Sequence, residues 1–150
     1  MFKILVAVKG SESCSAVAQK AQEMALLCKG SVTFLTIIST KHKLIRSKEE
    51  FEQLNLDLEE TKKETEEALK TCSTLYGQCE VELGEKGLET ERVVKEGNYI
   101  GQDICNYAEE NNFDLIVIAD KSDKTVKDKL LGSTAEKIIK HAKTSVLVVK

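Results

Sequence analysis

At 150 residues the chain suits one domain, 1–150, and is long enough to bury a substantial core. A hydrophobic content of 41%, a charged content of 31% and a net charge of −3 describe a soluble globular protein with no pull toward nucleic acid or an anionic membrane. No apolar run reaches the length of a membrane span, and Met1-Phe2-Lys3 leads into a core strand rather than a signal peptide, so a cytoplasmic protein is expected.

The first element is a strand, Ile4-Leu-Val-Ala-Val8, short and nearly unbroken in its apolar character. Parallel strands covered on both faces read this way. A short loop, Lys9-Gly-Ser-Glu-Ser13, leads to a helix over 13–28. That helix places Ala16, Ala18, Ala21, Met24, Ala25 and Cys28 largely on one side and ends in a C-cap signal at Lys29-Gly30. Val32 to Ile38 is the second strand. Residues 39–46 form a basic connector, and a long helical pattern follows. Phe51, Leu54, Leu58, Thr61, Thr65, Ala68, Cys72, Leu75 and Cys79 recur at three- and four-residue steps. Two threonines interrupt that seam, which favours a sheet-covering helix with a solvated acidic face over a coiled coil. Pattern alone leaves residues 80–88 open between helix and loop.

Thr90–Lys95, bounded by Gly87 and Gly97, is a weaker strand. Residues 99–111 carry Ile100, Ile104, Tyr107 and Ala108 at helical spacing. Leu115–Ile118 is the fourth strand. The helix over 133–142 opens on the capping-box pattern Ser133-Thr-Ala-Glu136 and buries Ile138, Ile139 and Ala142. Val146–Val149 closes the chain as a fifth strand. The alternation predicts an α/β fold: one open parallel sheet with helices on both faces, because right-handed crossovers place them there.

The five cysteines (Cys14, Cys28, Cys72, Cys79, Cys105) are scattered, with no C-x-x-C and no nearby histidine, so small core residues are the expected role of most. His42 and His141 stand alone in sequence, and His141 falls in a last helical turn, where the helix dipole accounts for it. No metal cluster and no catalytic set can be assembled from the sequence order, and no enzymatic activity is expected.

In open α/β sheets ligands bind beyond the carboxyl ends of the strands, where strand order reverses. With strand 1 central, that point lies between strands 1 and 4. The loop after Val8 and the stretch from Ala119 to Thr134 face it. Gly10, Ser11 and Ser13 precede one helix, and Gly132, Ser133 and Thr134 precede another, so both offer free N–H groups to a phosphate. Helix capping explains the same residues without a ligand. Gly132 adds a place where the backbone can come close to another group. There is no G-x-G-x-x-G after the first strand and no G-x-x-x-x-G-K-[ST], which sets dinucleotide and P-loop chemistry aside. Lys9 stands where phosphorylated receiver domains need acid, and the chain has too few aromatics for a flavin.

"KILVAVKGSESCSAVAQKA" resembles the opening of universal stress proteins, and "DLIVIA" followed by a loop and "LLGSTAEKIIKHAKTSVLVVK" resembles their ending. The resemblance covers nearly the whole chain and diverges over 47–80. It implies a Rossmann-like, adenine-nucleotide-hydrolase-like sheet of order 3-2-1-4-5 and a homodimer joined through the last strand, Ser145 to Val149. An apolar edge strand needs such cover. Family members that hold ATP carry Gly-x-x-Gly, nine residues, then Gly-Ser or Gly-Thr. Here the spacing is kept, with 123–131 between, but Ala119 and Ser122 replace the first two glycines and only Gly132 remains. Binders have aspartate after strand 1, where this chain has Lys9, a donor with no acceptor.

The nucleotide crevice implied by the resemblance therefore consists of Val8, Lys9, Ile37, Ala119, Ser122, Gly132, Ser133 and Thr134. Lys121, Lys124, Lys127 and Lys129 outnumber Asp123 and Asp128 beside it and could draw a phosphate. Charge does not readily replace close approach, so no tightly held cofactor is expected. The preferred reading is a stress-response regulatory or protective module with a degraded ATP motif. The alternative is an adenine-nucleotide-binding signalling protein that takes ATP or AMP, and the least favoured reading is a phosphate-releasing enzyme.

Overall fold

β1 (Lys3–Ala7) is the axis of a five-stranded parallel sheet of order β3-β2-β1-β4-β5, the order expected. The structure, a computed structural model, describes residues 1–7, 14–39, 73–120 and 133–150. The other elements are α1 (Cys14–Cys28), β2 (Ser31–Ser39), α2 (residues 73–85), β3 (Thr90–Gly97), α3 (Ile100–Glu110), β4 (Leu115–Ala119), α4 (Ser133–His141) and β5 (Ser145–Val149). β1 is held on one side by β2, with Ala7 opposite Leu35, and on the other by β4, with Ala7 opposite Ile118.

Side chains alternate across the sheet and divide the core into two layers. Ile4, Val6, Val32, Phe34, Leu115 and Val117 meet α1 through Val17, Ala18, Ala21 and Ala25, and α2 through Tyr76, Cys79 and Leu83. Leu5, Ala7, Leu35, Ile116 and Ile118 face the other way, onto Ile104, Cys105 and Ala108 of α3 and Ala135 and Ile138 of α4. Unbroken apolar character in β1 and β4 thus has its cause: both of their faces are covered.

Three helices end alike. Lys29 (φ 53°), Gly87 (φ 76°) and Asn112 (φ 56°) each take the left-handed conformation. The next N–H then reaches the carbonyl five residues back: Gly30 to Ala25 at 3.0 Å, Leu88 to Leu83 at 2.9 Å, Phe113 to Ala108 at 2.9 Å. This is the Schellman closure, and each instance delivers the chain into the next strand within a few residues. The C-cap signal at Lys29-Gly30 is borne out with its roles divided. Lys29 makes the turn, and Gly30 is needed because a β-carbon there would stand 2.5 Å from the Phe2 carbonyl oxygen.

α2 is pinned to β3 by Arg92. Its Nη1 donates to Ser73 Oγ at 2.9 Å and its Nη2 to the Ser73 carbonyl at 3.1 Å, while Nε donates to Glu80. The guanidinium lies 5.8 Å from the Tyr76 ring, which stacks on Phe34 at 4.1 Å.

Several expectations need correction. Ala16 and Cys28 are exposed, because the buried stripe of α1 runs through Val17, Ala18, Ala21 and Ala25 instead. Cys79 and Cys105 are core residues as expected, whereas Cys28 is not; Cys14's side chain and Cys72 lie outside the described residues. Ile139 is 43% exposed, since α4 turns Ala135 and Ile138 inward. Residues 80–88 continue the helix to Glu85 and then turn. β3 runs on to Gly97. The basic connector from residue 40 on, and the helical stripe before Ser73, lie outside the described residues.

Candidate functional site

The carboxyl ends of β1 and β4 lie side by side, Ala7 beside Ile118, and strand order reverses between them. This is where an open parallel sheet opens a crevice. β2 and β3 extend the rim on the β1 side, ending with Ser39 opposite Gly97. On the other side the Asp120 N–H donates to the Val149 carbonyl at 3.0 Å, tying the end of β4 to β5.

Of the eight residues expected to form the crevice, Val8, Lys9, Ser122 and Gly132 lie outside the described residues, as does the Ser133 side chain. The backbone of Ser133 begins α4, and Thr134 is half-buried in its first turn. Ile37 and Ala119 are both half-buried at the carboxyl rim, but on opposite faces. Ile37 packs into the α3–α4 layer, and Ala119 packs into the α1–α2 layer. The Ala119 side chain is thus a packing group as well as a departure from the glycine motif.

The rim at Ile37 has a further member that the sequence reading missed. A β-carbon on Gly97 would collide with Asp103 Oδ2 and stand 3.2 Å from Ile37 Cγ2. The absent side chain of Gly97 therefore leaves the space that the Asp103 carboxylate enters. Asp103 sits in the first turn of α3, where acid complements the helix dipole. Its Oδ2 accepts the Tyr99 N–H at 3.2 Å. The sequence holds both residues, but only as a strand boundary and a first-turn acid. Nothing in their spacing says that they meet.

Among the described residues, the ionisable groups with shifted equilibria lie elsewhere. Burial pushes the Tyr76 phenol up to about 12, against a smaller opposing pull from Arg92. Burial, aided by Glu82 and Glu80, pushes the Cys79 thiol up to about 11. Cys105 is raised by burial, and Tyr107 by burial and then by Glu91. Every one of these shifts moves a thiol or phenol away from its reactive anion. Among the described residues, no three His, Cys, Asp or Glu side chains gather as a metal site would need, and no helix is long and apolar enough to cross a membrane.

The model of the universal stress protein family matches residues 1–150. No curated protein sequence matches the chain. Among solved structures, the universal stress protein UspA from Lactobacillus plantarum is 19% identical, with a TM-score of 0.73 over 99% of this chain and 97% of the other. The universal stress protein from Archaeoglobus fulgidus in complex with dAMP is 22% identical, with a TM-score of 0.59 over 100% and 98%. A universal stress protein in complex with cAMP is 18% identical, with a TM-score of 0.64 over 99% and 97%. At these identities the structural likeness speaks for the fold.

Proposed function

The chain belongs to the universal stress protein family, and on that premise we propose that it is a single-domain regulatory or protective module of the stress response, cytoplasmic and without enzymatic activity of its own. The observation that carries this reading is the replacement at the end of β4. The strand delivers the chain to the crevice at Ala119, where ATP-holding relatives have glycine, and the Ala119 side chain is committed to the α1–α2 layer. A β-carbon at that point keeps phosphates from the backbone. Lys9 in place of the acid and Ser122 in place of the second glycine act in the same direction. ATP is therefore not held tightly.

A second reading is favoured by the ligands of two relatives. The proteins described with dAMP and with cAMP each hold an adenine nucleotide with a single phosphate. Such a ligand asks less of the glycine loop than a triphosphate does. Here Ile37, Gly132, Ser133 and Thr134 would hold an adenine monophosphate, and the protein would signal through its occupancy.

The geometry of β5 supports a homodimer. Among the described residues β5 is an edge strand bonded on one side, to β4, and Val146 to Val149 are half-buried apolar residues. Such an edge invites pairing with a second copy along Ser145 to Val149.

Calorimetry with ATP, ADP and AMP, with and without magnesium, tests both readings. Weak or undetectable ATP binding is expected, and submillimolar ATP affinity would overturn the first reading. Phosphate release from ATP that disappears in a Gly132 variant would overturn the non-enzymatic assignment.

A further inference from the structure

We infer that the free edge of β3 is a self-association surface: it takes the β3 of a second copy antiparallel, with Val93 opposite Val93 and Glu91 opposite Lys95 on either side. The inference is independent of the β5 pairing and of any nucleotide.

β3 ends the sheet on the side away from β5, and among the described residues no strand lies beyond it. Its ladder to β2 runs in continuous register from Thr90 to Gly97, with neither the bulge nor the proline that would close an edge to pairing. The Val32 N–H donates to the Glu89 carbonyl at 3.1 Å, so alternate residues (Glu89, Glu91, Val93 and Lys95) turn their backbone groups to β2. Thr90, Arg92, Val94 and Glu96 therefore turn theirs outward. Both faces of the edge are open: Glu91 and Lys95 on the α3 face, and Val94 and Glu96 on the α2 face, are exposed, Val94 by 55%.

Charges on an edge strand ordinarily keep other strands away. Here their order admits one arrangement. In an antiparallel pair, opposed residues turn their backbone groups either both toward each other or both away. An odd-numbered residue thus cannot oppose an even-numbered one, which removes the alignment that would set Arg92 against Lys95 and Glu91 against Glu96. Centring the pair on Arg92 or on Lys95 sets that charge against its own copy. Two alignments remain. Centred on Val94, the pair would need Arg92 for Glu96, but Arg92 is already committed to Ser73 and Glu80. Centred on Val93, it sets Glu91 against Lys95 twice. Neither has an ion-pair partner among the described residues, and Lys95 rests over the Tyr107 ring at 4.7 Å. That alignment also lays the exposed Val94 along the aliphatic stem of Arg92 in the other copy. An unrelated peptide could meet the backbone edge but not this order of charges, so the occupant is a second copy.

Two strand edges bury less than a stable interface does, so the association is weak and reversible, with a Kd of about 0.1–1 mM, and in dilute protein the edge stays open. The test is sedimentation of Leu147→Lys, in which β5 pairing is blocked, up to about 1 mM chain. Its mass is expected to rise from monomer toward dimer. Glu91→Lys and Lys95→Glu each set like charges opposite one another twice, and each should weaken that association about tenfold. The double variant Glu91→Lys with Lys95→Glu reverses both charges and should restore it, which neither misfolding nor loss of the Tyr107 contact would do. If circular dichroism shows Leu147→Lys to be unfolded, the same series in the unaltered chain reads growth beyond the mass set by β5. A mass that does not grow in the folded parent overturns the inference. Single variants that associate as the parent does, or a double variant that fails to recover, overturn it equally.

Discussion

Gly30 and Phe2 approach so closely that any β-carbon at Gly30 would stand 2.5 Å from the Phe2 carbonyl oxygen. The same carbonyl accepts the Ser31 N–H at 2.8 Å, the bond that starts the β1–β2 ladder. Backbone on both sides leaves no flexible group to yield. Gly30→Ala is therefore expected to cost about 2–3 kcal/mol, measured by urea denaturation. Gly97→Ala meets the end of a side chain, Asp103, which can rotate away at the loss of one capping bond, so about 1 kcal/mol is expected there. Equal costs at the two positions would count against this distinction.

Arg92 joins α2 to β3 through Ser73, Glu80 and the Tyr76 ring. Its ion pair with Glu80 is partly open to water, with the two side chains 39% and 32% exposed, so charge alone contributes little. The forked geometry contributes more, because it holds two acceptors at Ser73 at once. Arg92→Ala should destabilise by about 1–2 kcal/mol, and Arg92→Lys should recover less than half of that. Full recovery by lysine in chemical denaturation would show that the charge, not the fork, matters.

Alkaline pH should loosen the same layer. For both Cys79 and Tyr76 the folded state holds the proton more tightly than the unfolded chain does, so their contribution is complete below the unfolded pKa and is lost as pH rises through the folded one. For Cys79 the window runs from 9.0 to about 11, and for Tyr76 from 10.0 to about 12. Each group lowers stability by about 1.4 kcal/mol per pH unit within its window. Urea midpoints should be flat up to pH 9 and fall beyond it. Tyr76→Phe should flatten the slope above pH 10 and leave the onset at pH 9, and an unchanged slope would contradict the assignment to Tyr76.

Restoring the glycine motif should restore triphosphate binding. Ala119→Gly with Ser122→Gly is expected to strengthen ATP binding by about tenfold relative to AMP, as the backbone becomes approachable. It should also cost about 1 kcal/mol of stability, because a strand residue packed in the α1–α2 layer loses its side chain. Calorimetry and denaturation on one preparation measure both. An unchanged ATP-to-AMP ratio would show that Lys9 rather than the lost glycines limits binding.

The dimer is tested at β5. Leu147→Lys puts a charge at the centre of the expected seam, on a half-buried residue that also packs against the α1–α2 layer, so circular dichroism of the variant is read alongside. Sedimentation velocity should show a dimer for wild type and a folded monomer for the variant. A wild-type mass that stays monomeric at all concentrations would reject the assembly.

Period and apolar run length made β1, β4 and β5 readable, because strands in this sheet declare themselves by continuous β-branched residues. The reversal between β1 and β4, and with it the place of the crevice, was legible only on the premise of a central β1, which the family resemblance implied and the sheet order bears out. What stayed hidden depends on meetings through space. Arg92 and Ser73 lie in separate elements, and Asp103 fills a gap at Gly97 that no propensity records. Lys29 takes a left-handed turn beside a glycine that would have made it more easily, because Gly30 is already required by Phe2. Ile139 was misplaced for a simpler reason. Two adjacent isoleucines lie about 100° apart around a helix, and α4 turns Ile138 rather than Ile139 toward the core.

Ile37 and Ala119 turn to opposite layers of the sheet. If the crevice binds as proposed, its hold on phosphate at Ala119 and its contact with the base at Ile37 rest on separate cores. Substitutions that loosen or tighten the α1–α2 layer would change the first, and substitutions in the α3–α4 layer would change the second. A lineage could then lose one property and keep the other, so that a weakened phosphate grip need not erase the identity of the ligand.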